Sequence, residues 1–398
     1  MLLLMTSFNP ATAVSLGEAL TQEAELALHL RSFHLQRERS LGPENLAWTA
    51  GGELGYRSGW VGDTLRIGLT GYTSQKILGP ADKDGTALLL PGQRAYSVLG
   101  ESYLKLRHDT HELTAGRFLV RQFEINPQDT RMTPRSYEGI ALSGTLSKGS
   151  YFLGRFDRMK PRNADRFESV ARLAGAPEGV EPPLWQLSVR LQPGAHLQFG
   201  LSHYRLGAVL SSDYLEARGA LIHNEKQRLE LHAQHFRQHS DAASPTWNSG
   251  LKLAWQTGPL TLAGIVTQTG RGAAYRTPFG SWIGHTSRIF NNFNRAGEQA
   301  LAIDTRVDFA SLGLPGLTLL ASATTSRHAL APATQTALSR DREYDLTLDY
   351  RFNTAAWPRA LHPLQLRGRF ARIEQREETQ KNVIGEYQLI LNYCVEIK

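Results

Sequence analysis

The chain has almost no cysteine: one residue, Cys394, among 398. A single thiol excludes an intrachain disulfide framework and a cysteine-based metal site. Long apolar runs are missing too. No window approaches 18 consecutive apolar residues, so no helical membrane span is written here. Amphipathic helices longer than two turns are absent, with only 15–30 open to that reading. The 13 histidines give no H-x-x-x-H or H-E-x-x-H zinc pattern on a helix, and no nucleophile elbow or G-x-x-x-x-G-K-S/T phosphate loop occurs. His108 and His111 flank a tight turn and read as turn residues. No catalytic constellation can be assembled, so an enzyme is not expected, nor a cofactor or metal.

What is present is charge and alternation. The formal net charge is +7 and the pI about 9.5. The arginines are spread along the chain instead of forming a block, which argues against a nucleic-acid-binding tail. Mean hydropathy is low, −0.33. That does not exclude a membrane barrel, in which only half of the strand residues need be apolar.

Period-2 patterning runs through nearly the whole sequence. In "PLQLRGRFARI", residues 363–373, Leu364, Leu366, Gly368 and Phe370 alternate with Gln365, Arg367, Arg369 and Ala371. Successive strand residues point to opposite faces, so one face is apolar and the other carries two arginines. Such segments are expected at 25–37, 46–58, 64–74, 97–107, 111–121, 137–145, 150–158, 184–192, 196–206, 213–222, 227–237, 248–257, 259–269, 298–309, 316–327, 341–352, 363–374 and 384–394. Most have the length of a tilted transmembrane strand, about 9–11 residues, against about 5–6 for strands of soluble domains. Connections are expected to alternate. Tight turns fall around 59–63, 108–110, 146–149, 193–195, 223–226 and 257–259. Long loops fall around 75–96, 122–136, 159–183, 238–247, 270–297 and 328–340. Outer-membrane barrels have this asymmetry. Aromatic residues at strand ends (Tyr56 and Trp60, Trp185, Trp247 and Trp255, Tyr344 and Tyr350, Tyr387 and Tyr393) suit interfacial girdles. The fold class expected is all-β, a transmembrane antiparallel barrel of about 18 strands. Residues 21–398 form its one domain. Residues 1–20 read as an N-terminal arm or a signal-peptide remnant, with a short apolar run and "ATA" at 11–13 but no positive leading region.

Four stretches resemble the OprD family of outer-membrane porins: "FNRAGEQALAIDTRVDFASLGLPGLTLLA" (293–321), "DTRMTPRSYEGIALSG" (129–144), "LALHLRSFHLQRE" (26–38) and the ending "GEYQLILNYCVEIK" (385–398). The likeness extends over the chain from about residue 20. It implies an 18-stranded barrel, monomeric or weakly trimeric, in a Gram-negative outer membrane among lipids and lipopolysaccharide. Its third and seventh extracellular loops, here roughly 122–136 and 270–297, would fold into the lumen.

In a barrel, Leu364, Leu366 and Phe370 must face lipid, and Arg367 and Arg369 the water-filled interior. A lipid-facing arginine at the midplane costs about 2–4 kcal/mol. By the same alternation Arg66, Lys105, Arg107 and Arg351 face inward. The family's basic ladder, a row of cations that guides a substrate carboxylate, is implied for these positions and for Arg31, Arg37 and Arg131, which match family arginines. A family tyrosine-x-aspartate site on the seventh loop aligns with Phe290 and Asn292, so the acid and the hydroxyl are both missing. The function implied is passive, substrate-selective uptake of small carboxylates, aromatic or other monocarboxylates before amino acids. A general diffusion or sugar-type porin, or a non-transport β-rich binding protein, are the alternatives.

Overall fold

The computed structural model describes residues 14–331, 334–377 and 380–397. Eighteen antiparallel strands, from Glu25–Arg39 to Gln380–Ile397, form a closed barrel. The last strand pairs with the first from Leu26↔Ile397 to Arg39↔Ile384. Closure matters because lipid offers no partner to an unpaired N–H or C=O. A further two-residue strand, Glu168–Ser169, pairs with Arg158 and Met159 at the top of the wall. Among the described residues no helix is long and apolar enough to cross a membrane.

The alternation decides the faces. On Leu364–Glu377, Leu366 is exposed while Ala371 and Ile373 are fully buried. Leu346, Leu348, Leu389 and Leu391 on the flanking strands are exposed beside Leu366. A continuous leucine belt of this kind far exceeds the apolar patches that soluble proteins leave to water. It is the lipid face. The odd-numbered residues from Gln365 to Gln375, Arg367 and Arg369 among them, point inward.

Glycine permits one close approach in this wall. Gly52 has φ +132°, and a Cβ there would sit 1.9 Å from the His29 carbonyl oxygen across the strand pair. Any side chain at that position would push the first two strands apart.

The connections depart from strict alternation. Residues 238–247, expected as a long loop, are strand almost throughout: Gln227–Ser240 and Ala243–Thr257 run on past the lipid band. Pro245, which suggested a loop, lies where the register between these strands shifts, so the ladder loses little by its missing N–H. Connections 40–44 and 207–209 at the same end are also short. At the opposite end 352–363 is long and carries the 3-10 turn Arg359–Leu361. The helical reading of 15–30 holds only for Leu16–Thr21, capped by Ser15, whose hydroxyl accepts from Glu18 N at 3.3 Å while its N–H donates to the Glu18 carboxylate at 3.0 Å. Tyr56 anchors that helix, its hydroxyl donating to Leu20 O at 2.8 Å. The "ATA" stretch lies outside the described residues.

Candidate functional site

The interior of the loop end is filled by the chain itself. Loop 119–135 leaves the wall at Phe118 and crosses the lumen. On one side Ser212 donates to the Glu124 carboxylate at 3.0 Å, and Arg190 donates to Gln122 at 2.5 Å. On the other, Arg31 pairs with Asp129 at 2.6 Å. Ser212 lies on the tenth barrel strand and Arg31 on the first, so this loop joins opposite walls. Glu124 is buried, and among the described residues no cation lies within ion-pair distance of it. Burial pushes its carboxyl up to about 7, against the opposing hydrogen bonds from Tyr275 and Ser212.

Loop 270–298 enters beside it. Asn126 donates to Ser281 O at 3.1 Å, Ser281 N donates back to the Asn126 side chain at 2.8 Å, and Arg135 donates to Pro278 O at 2.5 Å. Tyr137 donates to Phe279 O. Aromatic packing of Phe123, Tyr214, Phe236, Tyr275 and Trp282 seals both loops against the wall. The far end of this loop docks on Glu343, which accepts from Phe290 N at 2.8 Å and Asn291 N at 2.9 Å. A third inward segment, 161–183, adds Arg162, which donates to Thr130 Oγ1 at 2.6 Å. Three inward loops are thus cross-linked to one another by hydrogen bonds.

Its charges fall into two groups. In the wall, guanidinium groups meet acids: Arg37 and Glu386 at 2.6 Å, Arg367 and Asp349 at 2.5 Å. On the loops Arg288 and Arg295 also meet acids, Asp304 and the pair Glu298 and Asp341, whereas three others do not. Arg131 donates to Thr86 O and Thr130 O, both at 2.7 Å, Arg135 to a carbonyl and Arg162 to a hydroxyl. Arg369, on the wall above Arg367, donates to Gln388 at 3.2 Å. Among the described residues no carboxylate lies within ion-pair distance of these four. Arg131, Arg162 and Arg37 interact electrostatically around the one carboxylate of Glu386, and Arg131 also feels Arg369. Burial lowers Arg131 to about 10 and Arg162 to about 9, which leaves both charged at neutral pH.

Three of the remaining ladder candidates, Lys105, Arg66 and Arg107, face inward lower down and are occupied. Lys105 pairs with Glu112 at 2.8 Å. Arg66 and Arg107 both lie over the Trp60 ring, at 4.5 and 4.1 Å. Arg351 is exposed at the turn-end rim. Phe290 lies under the Arg37 guanidinium, 4.9 Å from it, and packs on Ala371, Ile373 and Ile384. Asn292 accepts at its backbone oxygen from Thr286 at 3.4 Å. Sequence reasoning missed Arg135 and Arg162. "KPRN" at 160–163 gives no periodic signal, because Arg162 is placed by its loop and not by a strand.

A family profile described as outer membrane porin, OprD family, matches residues 18–397. The chain belongs to the OprD family. Solved structures of OprD porins share its fold: OccK9 (OpdG) from Pseudomonas aeruginosa at 23% identity, covering 96% of this chain and 100% of that one, TM-score 0.84. OpdK from the same species, solved with vanillate, gives 18% identity, 94% and 99% coverage and TM-score 0.81. A BenF-like porin from Pseudomonas fluorescens Pf-5 gives 17%, 95% and 100%, and 0.84. No curated protein sequence matches. As an OprD porin the chain sits in the Gram-negative outer membrane as a channel, with its short-turn end periplasmic and its loop end outside. Counted along the outer end, the two loops that meet in the lumen are the third, 119–135, and the seventh, 270–298.

Proposed function

We propose that this porin admits small solutes bearing a carboxylate, monocarboxylates foremost, by passive selective diffusion. The observation that supports the reading is the set of guanidinium groups at the constriction, Arg131, Arg162 and Arg369, that have neutral partners only. A guanidinium offers paired N–H donors that match a carboxylate, and one lacking an acid keeps that capacity. Below them Arg367, Lys105 and Arg107 continue the cationic face toward the periplasm, tempered by Asp349 and Glu112. Such tempering suits conduction, since binding must be weak enough for release.

The seventh loop supports the choice of monocarboxylates. It presents Phe290 and Asn292, and the nearby acid, Glu343, is engaged by two backbone N–H groups. An ammonium group on the solute finds little to pair with there. That the relative OpdK was solved with vanillate, a monocarboxylate, supports this reading.

Planar-bilayer recordings test the proposal. Anion-selective current, blocked by benzoate and not by glucose or lysine, is expected. Equal permeation of glucose and benzoate would make it a general or sugar-type pore.

A further inference from the structure

Outside the lumen, the lipid face carries a second cationic feature. A groove of about 770 Å³ runs across the outward side of the strands between Gln227–Ser240 and Leu317–Arg327. Its floor is apolar: Ala233, Leu251, Val266 and Leu301, the last three about half exposed. Its upper edge is polar, with Gln268, Gln299, Arg327 and Arg340. Arg342, on the next strand, faces the same way and pairs in register with Thr325.

The height of this edge follows from strand length. Gln299–Asp308 has ten residues. At about 3.3 Å per residue and a tilt near 40°, that strand climbs roughly 25 Å, the height of the apolar band. Gln299 and its register partner Arg327 therefore stand at the outer rim of the hydrocarbon, where lipid headgroups begin.

Arg342 stands opposite Glu374 in register, but at more than ion-pair distance. Arg327 donates to Gln299 at 3.2 Å, and among the described residues no carboxylate is within ion-pair distance of Arg327, Arg340 or Arg342. The nearest acids are engaged elsewhere. Glu374 is held by Arg372 at 3.5 Å and Lys381 at 3.1 Å. Asp341 turns inward to Arg295 at 2.9 Å. A guanidinium at the edge of hydrocarbon needs an anion, and the anion at that height is a headgroup phosphate.

We propose that this groove binds one phosphorylated acyl lipid of the outer leaflet, its phosphate on Arg327, Arg340 and Arg342 and an acyl chain along Ala233, Leu251, Val266 and Leu301. The site rests on membrane location alone and is independent of what the lumen transports.

The test uses the full-length barrel in nonionic detergent, with native mass spectrometry as readout. The probes are a bisphosphorylated acyl-glucosamine disaccharide, its dephosphorylated form and inorganic phosphate. One lipid per barrel is expected, with at least tenfold weaker binding after Arg327→Gln, Arg340→Gln and Arg342→Gln are combined, and for the dephosphorylated lipid. Ala233→Trp, which fills the groove and leaves the charges, is expected to weaken binding as well. Undiminished binding by the triple variant or by Ala233→Trp would overturn the site. So would equal binding of the dephosphorylated lipid, or displacement of the lipid by millimolar inorganic phosphate. Heat-modifiable migration and reversal potential of the triple variant should match the parent, which separates this outcome from any failure of the channel reading.

Discussion

The wall arginines Arg37 and Arg367 and the loop arginines Arg131 and Arg162 have the same chemistry and different company. Arg37 and Arg367 emerge from strands and meet Glu386 and Asp349 on neighbouring strands. Arg131 and Arg162 emerge from loops and meet carbonyls and a hydroxyl. A wall side chain is fixed by register, so its company is whatever the neighbouring strands place opposite: Asp349 for Arg367, the neutral Gln388 for Arg369. A loop can satisfy guanidinium N–H groups with its own backbone and leave the positive charge unneutralised. The first group ties neighbouring strands by ion pairs, and the second leaves cations without an acid at ion-pair distance among the described residues.

The sharpest way to break this contrast is to remove the unneutralised set. Combining Arg131→Ala, Arg162→Ala and Arg369→Ala should weaken benzoate block by roughly 100-fold or more. Each charge-assisted hydrogen bond contributes about 1.5–3 kcal/mol, and about 1.4 kcal/mol is tenfold. Bilayer recordings read this directly, and the fold should survive because no carboxylate loses its partner.

The wall should respond in the opposite manner. Arg37→Ala leaves the fully buried Glu386 without its partner at 2.6 Å. A loss of stability of roughly 3 kcal/mol is expected, as for a buried pair broken from one side. A lower temperature for the heat-modifiable gel shift would show it, and an unchanged one would place Arg37 with the loop group.

A smaller effect is expected at Glu124, where loop and wall join. Its native carboxyl titrates near 7, above the usual carboxylate range. In the window between that range and about 7 the unfolded chain gives up this proton while the folded barrel keeps it. Stability therefore falls as pH rises through the window and levels off above it. Glu124→Gln should flatten this slope in unfolding temperature measured from pH 4 to 8. A slope that persists would assign the titration to another group.

Smallest of all should be Arg351→Ala. At the exposed rim its charge is screened by water and salt, and benzoate block should change by less than about twofold. A larger change would extend the selective region to the periplasmic mouth.

The strands were legible because a lipid face and a water face enforce period 2 over their full length. Arg367 and Arg369 between Leu366 and Phe370 show it directly. Residues 238–247 were misread because Ser240, Asp241 and Pro245 carry turn chemistry, whereas the two strands pair on beyond the lipid. The pairing of Arg367 with Asp349 was not legible, since it depends on the cross-strand register Asp349↔Arg367 between residues far apart in the chain.

The sequence by itself determined that this is a barrel, which residues face lipid, and which cations face the lumen. Local alternation suffices for that, because each strand must solve the same two-solvent problem. Only the tertiary structure decided which of those cations meet an acid and which do not. That choice depends on which acids closure of the sheet brings alongside, and on loops 119–135 and 270–298 crossing the lumen to meet each other.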